Sequence, residues 1–290
     1  MAVFTLPSEM IRFYKNNINF LTDHAVDPDK RRYSDSLEAP RHYLDADHYG
    51  ASPFDSIPEK WDAAVAKYSV KELNTHGIVP WNIQMTYYAL VSAFKRQDSS
   101  RILHLSADLG HYIADAHVPL HSTENYNGQL TNQVGIHAFW ESRLPELFSN
   151  KYNFFVGKAN YIEDPLNEAW KIIRYTYSCK DSVLLIEARL NKSFPSNLKY
   201  TFAMRNGKVD KQYSKEYSKK YHDALNGMVE RQMRSSISQV GNFWYSAWVD
   251  AGQPDMNSFK KRPAAAGEKR RAVKEDKISE EGKIIGREEN

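Results

Sequence analysis

Apolar residues recur every three or four positions through most of residues 7–249, and this period constrains the fold more than any other feature of the chain. Residues 7–21 place Met10, Phe13, Tyr14 and Ile18 on one helical face. Residues 58–68 open with a helix-starting proline and carry Trp61, Val65 and Tyr68. Residues 81–94 form a strong amphipathic run. Asp98 or Ser99 is placed to cap the next helix, which reads through Ile102, Leu105, Leu109 and Ile113. Further helices are expected over 136–148, over 164–190 as one helix or two, and over 213–249 as the longest, with Tyr213, Tyr217 and Tyr221 four apart. Strand signals are few: residues 199–205 before Asn206-Gly207 read as half of a short hairpin. The expectation is an all-α fold, a single compact multi-helix domain with long loops. The two longest polar connections, 23–56 and 122–135, exceed what simple connection needs, and loops of that length usually carry function or lack order.

Composition sets the limits. Hydrophobic residues make up 41% of the 290, enough to bury a sizeable core. The formal charge of +3 comes from the end of the chain: residues 259–290 hold ten Lys/Arg and seven Asp/Glu, which leaves 29 of each sign in residues 1–258. A neutral body exerts no general pull on a nucleic-acid backbone. The domain is therefore expected to span 1–258, with 259–290 a charged, disordered tail. The tail's KKRPAAAGEKRR resembles a bipartite basic targeting signal, although a solvated tail is the simpler reading. Cys179 is the only cysteine, so an intrachain disulfide and a thiolate zinc cluster are both excluded, and it reads as a packed residue. The opening MAVFTLPSEM lacks the pattern of a signal peptide, and no apolar run reaches the roughly 18 residues of a membrane span.

Histidines supply the chemical signal. Eight of the ten lie between residues 42 and 137, where even spacing would place about three. His111 and Asp115, four apart in a helical run, project from one face and can grip one ion. His121 follows just past Pro119, and His137 and Glu141 repeat the four-residue spacing. Two such pairs with a histidine between them suit more than one divalent ion. Imidazole and carboxylate donors favour zinc over magnesium or calcium. His42, His48, His104 and His117 read as core residues or as supports for ligands, with His48 the best spare ligand and Asp47 a support. Phe139, Trp140, Trp244 and Trp248 read as core. Tyr126 and Asn127 lie in the loop between the ligand sets and are candidates to touch substrate.

These residues resemble a known family. GHYIADAHVPLH (110–121) and GIHAFWE (135–141) look like the signature of the zinc-dependent phospholipase C and single-strand-specific nuclease superfamily, the trinuclear zinc phosphoesterases. RHYLDAD (41–47) and THGIVPW (75–81) resemble the family segments that carry an aspartate and a histidine ligand, and FWYSAWVDAGQP resembles its Trp-rich final helix. The resemblance covers residues 1–258. It implies that Asp45, His76, His111 and Asp115 hold one zinc and that His121, His137 and Glu141 hold a second, with Asp115 also reaching a third. It further implies an exported or cell-surface enzyme that hydrolyses phosphodiesters with metal-activated water, with Asp45 doubling as the base that orients the water. The family's third zinc uses an N-terminal tryptophan and a nearby histidine, whereas here residue 1 is Met and the first histidine is His24. The expectation is that Met1 is an internal methionine, that two zinc sites remain in this chain, and that the missing piece carries a signal peptide and the other ligands.

The substrate is expected to be a phosphodiester, either a phospholipid head group or single-stranded nucleic acid. Glu141 as the last acid, and the 16 residues from His121 to His137, look closer to the phospholipase C branch than to the nuclease branch. A single-strand nuclease or nucleotidase is the alternative, and a non-catalytic metal-binding helical protein the third possibility. No stable protein partner is expected.

Overall fold

The structure is a computed structural model that describes residues 1–205, 208–257, 259, 276–279, 284 and 285. It is mostly helical, with 67% of residues in helices and 4% in one two-stranded sheet, which agrees broadly with the all-α expectation. Among the described residues the α-helices are α1 (Ser8–Asn16), α2 (Ile18–Asp23), α3 (Asp27–Arg31), α4 (Pro53–Ser56), α5 (Trp61–His76), α6 (Val79–Lys95), α7 (Ser99–Asp115), α8 (Ile136–Ala138), α9 (Leu144–Phe148), α10 (Pro165–Ser193), α11 (Lys215–Ala224) and α12 (Met228–Asp250). A hairpin of β1 (Tyr200–Arg205) and β2 (Lys208–Tyr213) pairs antiparallel, Tyr200 opposite Tyr213. No helix among these residues is long and apolar enough to cross a membrane.

The main core lies where α6, α7, α10 and α12 pack together, with α1 and α2 on its flank. Tyr14 stacks on Trp244 at 4.9 Å, and both reach Ser106: the tyrosine hydroxyl meets Ser106 Oγ at 2.9 Å and the indole N–H donates to Ser106 O at 3.0 Å. Buried aromatics of this kind need such partners for their polar ends. Trp81 and Trp170 share one acceptor in the same way, both donating to Glu59 O. Phe139, Trp140, Trp244 and Trp248 are all buried.

A second core forms under α8 and α9, where Phe139 stacks within 3.8–5.8 Å of Tyr213, Tyr217 and Tyr221. Cys179 is buried in this cluster. Beside it the fully enclosed Glu187 of α10 accepts from Gln133 Nε2 (2.6 Å), Tyr217 Oη (2.6 Å) and Lys199 Nζ (3.0 Å). One buried carboxylate thus ties α10 to α11, to the hairpin and to the end of the 122–135 loop. Glu187→Gln keeps the shape but leaves Lys199 without its counter-charge. It is expected to cost about 2 kcal/mol, read as a lower urea midpoint at unchanged slope.

Three helical expectations need correction. The 7–21 run breaks at Asn17, whose φ of −117° is not helical, into α1 and α2. The 213–249 run is not one helix. Tyr213 closes β2, and Asn226 and Gly227, at φ 49° and 74°, separate α11 from α12. Asn-Gly adopts the left-handed conformation at little cost, and the four-residue tyrosine spacing concealed the break. The longest helix is α10, one piece of 29 residues, whose cap Asp164 accepts from Leu166 N and Asn167 N. The run 136–148 holds a π turn at Phe139–Arg143 between α8 and α9. Of the expected tail, Phe259 meets Phe13 edge-on at 5.9 Å, Lys30 donates to Asp276 and Ile285 N to Arg32 O. Asn206-Gly207 and the stretch KKRPAAAGEKRR lie outside the described residues.

Candidate metal centre

The site begins with α7. Asp98 caps it by accepting from Arg101 N at 3.1 Å, and the helix ends at Asp115, four residues ahead of Pro119. His111 and Asp115 leave this helix on one face, with Nε2 and Oδ2 3.2 Å apart. The chain then turns through Pro119–Ser122, which carries His121. Leu44 N donates to His121 O and Asp45 N to His76 O (2.9 and 2.7 Å), so the Asp45 segment is fastened between the two histidine-bearing stretches.

His121, His137 and Glu141 converge as the spacing implies. His121 Nε2 lies 3.0 Å from His137 Nε2 and 3.6 Å from Glu141 Oε2, and His137 Nε2 lies 2.8 Å from that oxygen. Ligands at about 2.0–2.2 Å around a tetrahedral zinc stand about 3.3–3.6 Å apart, so this set fits such an ion with small adjustment. The π turn that contains Glu141 helps to aim it, a common use of such turns at functional sites. His121 Nδ1 faces the carbonyl of His42 at 3.2 Å. Donation there leaves the Nε2 lone pair directed at the cluster. Partial loss of water around it would raise the Glu141 pKa, but the bond to His137 and the nearby His121 outweigh this and lower it, keeping the group anionic.

The other expected quartet is distributed over two groups. His111 and Asp115 gather with His42 and Asp29: His42 Nδ1 is 2.9 Å from Asp115 Oδ2 and 3.1 Å from His111 Nε2, and Asp29 Oδ1 is 3.6 Å from His111 Nε2. His111 Nδ1 faces Ala25 O at 2.8 Å, which again leaves Nε2 for the cluster. Burial lowers the His111 pKa, but Asp115 and Asp29 overcome it and push it up to about 10. Asp45 and His76 gather instead with His48 and Glu124. His76 Nδ1 lies 3.9 Å from Asp45 Oδ2 and 3.7 Å from Glu124 Oε1, and its ring stacks on His48 at 3.3 Å. Asp115 lies between two groups: its Oδ2 serves His111 and His42, while its Oδ1 stands 3.7 Å from the Nδ1 edge of His121, away from the Nε2 that faces His137 and Glu141.

Three residues here carried no spacing signal as ligands: Asp29, His42 and Glu124. His42 lies three residues before Asp45 and Glu124 three after His121, which is the trace that could have found them. Asp29 is far in sequence from both its histidines. Behind His42 sits Glu38, fully buried. Burial raises the Glu38 pKa, but His42, Arg31, Tyr112 and Arg41 bring it down to about 2. Tyr112 donates to its Oε1, and His42 Nε2 stands 3.6 Å from the same oxygen. Asp47 acts as a support. It accepts from Thr123 Oγ1 and Glu124 N, pinning the start of the 122–135 loop. Asn127 is engaged inside that loop through Gly135 N, whereas Tyr126 lines a cavity of about 410 Å³ together with Asp45 and Tyr43.

His117 stands apart. Its Nδ1 faces Ile113 O at 2.7 Å and its Nε2 faces Ser235 Oγ at 3.1 Å, an arrangement a neutral imidazole satisfies on both sides. Burial lowers its pKa to about 4, against a smaller opposing effect of the Ile113 carbonyl. A group neutral when folded but free to protonate when unfolded makes stability fall as pH drops from about 6.5 towards 4. The expected loss is on the order of 2 kcal/mol by about pH 4.5. His117→Asn, which can keep the bond to Ile113, should be less stable at pH 7 yet flatter in pH. Equal pH slopes for the two chelated proteins in urea unfolding would contradict this.

No family model, curated protein or solved structure matches the chain.

Proposed function

We propose that this chain is a zinc-dependent hydrolase of phosphoric esters, a phospholipase C-like phosphodiesterase. The observation that supports this most is the approach of His121 Nε2, His137 Nε2 and Glu141 Oε2 to within 2.8–3.6 Å of one another, with the His111–Asp115 group of donors beside it, an arrangement in which paired ions could act on one phosphate. When bound, such ions activate water and neutralise charge on the phosphate oxygens. His121, His137 and Glu141 would hold one ion. Asp115 and His111, with His42 and Asp29 beside them, would hold another, while His76 and Asp45 belong to a separate group of donors with His48 and Glu124. Donation by Nδ1 of His121 and of His111 to backbone carbonyls keeps each ring in the ligating tautomer. Asp45 lines the 410 Å³ cavity and is the group we assign as the base that orients water. Tyr126 lines the same cavity and is a residue we assign to contact substrate. Family resemblance extends the proposal to an exported or cell-surface enzyme.

The test is elemental analysis of untagged protein purified without chelator, followed by assays on phospholipid micelles and on single-stranded nucleic acid. The expected result is bound zinc and release of phosphorylated head groups that stops on chelation and returns with zinc. Cleavage of single-stranded nucleic acid with steep salt dependence would move the substrate class to nucleic acid. A chain that takes up no zinc would end the enzyme reading.

A further inference from the structure

We propose that His24, Asp27 and His104 form a separate binding site for a divalent cation of the zinc type, apart from the centre around Asp115. One ligand atom from each of the three lies within 4.8 Å of the others. Two are local and one is distant: His24 follows the end of α2 and Asp27, three residues on, opens α3, whereas His104 comes from the middle of α7. Two imidazoles and one carboxylate are the donor set that zinc and its neighbours in the first transition row prefer to magnesium or calcium. Drawing a 4.8 Å triangle in to the 3.3–3.6 Å edges of a zinc shell takes about 1 Å of movement, within reach of side-chain rotation.

The surroundings suit a ligand set. Phe20 packs against both imidazoles, 4.0 Å from the His24 ring and 4.9 Å from the His104 ring, and holds the two rings 72° apart. An apolar wall on one side lowers the local dielectric and strengthens binding of the ion. His24 Nδ1 stands 2.6 Å from Asp27 Oδ2, so the carboxylate can ligate directly or can orient His24 for ligation through Nε2. Lys30, 3.7 Å from the other Asp27 oxygen, is itself paired with Asp276 at 2.8 Å, which offsets its charge against an incoming cation. The site is open to exchange. The His24 and Asp27 side chains keep 27% and 19% exposure, and Asp27 and His104 line a cavity of about 420 Å³. His104 and His111 lie seven residues apart on α7, about 10 Å along its axis, too far for one ion to serve both.

The experiment counts ions. The 290-residue chain is loaded with zinc, freed of loose metal by gel filtration and analysed for zinc per chain. His24→Asn and His104→Asn should each hold one ion fewer than wild type, and His104→Asn with His137→Ala should hold fewer than either alone. Asp27→Asn, at a partly exposed helix start, covers the case in which a histidine variant fails to fold, and it should weaken zinc at least tenfold in a chelator competition. Unchanged zinc content and affinity in the folded variants would overturn the proposal. Hydrolysis is not part of the readout, so loss of an ion in His104→Asn stands even where the phosphodiesterase reading fails.

Discussion

If the chain is the zinc phosphodiesterase proposed above, replacing His137 with alanine is expected to strip one zinc and to lower hydrolysis by about two to three orders of magnitude, a loss of about 3–4 kcal/mol of transition-state stabilisation. His137 Nε2 is the central donor of its group, 3.0 Å from His121 Nε2 and 2.8 Å from Glu141 Oε2. Without it two donors remain, and Glu141, with 39% of its side chain exposed, is free to turn to water. The effect should be chemical rather than structural. His137 is not part of the second core, which includes its neighbours Ile136, Phe139 and Trp140. The melting temperature of the chelated variant should therefore stay near that of the chelated parent. Excess zinc should recover part of the rate, because what is lost is affinity. Initial rates across a zinc titration, with zinc per chain measured on the same samples, read both. A variant with full zinc and full rate would remove His137 from the centre.

Gly77→Ala should be strongly destabilising, costing about 4 kcal/mol or more. Gly77 has φ 90° and ψ 151°, a region that essentially only glycine occupies. A Cβ there would stand 2.1 Å from Tyr43 O and 2.6 Å from the Tyr43 carbonyl carbon. That oxygen is backbone and is held: Val79 N donates to it at 3.2 Å, and Ile78 N donates to Pro40 O at 2.7 Å beside it. Relief of the clash must separate residues 40–45 from 76–79, which moves His42, Asp45 and His76 together. Denaturant unfolding should show the loss, and zinc analysis should show depletion in whatever remains folded. Gly50→Ala is the control. Gly50 has φ 106° with nothing within 4 Å of the place a Cβ would take, so it isolates the backbone cost, about 1–3 kcal/mol. Equal losses for the two variants would mean that contact with Tyr43 is not the reason for a glycine at 77.

Much of the centre was legible because its key pairs are local. His111 with Asp115 and His137 with Glu141 are each four apart, and helix geometry alone brings each pair to one face. The Asp98 cap and the amphipathic stripe of α7 were readable for the same reason, since capping and hydrophobic period act within a few residues. Less was visible where one local rule overrode another. The four-residue spacing of Tyr213, Tyr217 and Tyr221 continues in Leu225 and Val229 across Asn226-Gly227, yet two residues with positive φ end a helix whatever the period says. The π turn at Phe139–Arg143 is a one-residue shift in hydrogen bonding that a period of 3.6 does not distinguish.

The sequence by itself determined the helical class, the neutral body, the exclusion of an intrachain disulfide and of a thiolate cluster, and the two candidate ligand pairs. Each of these depends on composition or on contacts within one turn of a helix. Tertiary structure alone decided which pairs meet and what joins them. Asp29 reaches His111 across 82 positions, His42 reaches Asp115 across 73, and His24 faces His104 across 80. Such approaches follow from how α2, α3 and the 39–45 segment lie against α7, a result of many apolar contacts summed over the whole core. No short-range pattern encodes that sum, so the shared position of Asp115 between two groups of donors became visible only in the folded chain.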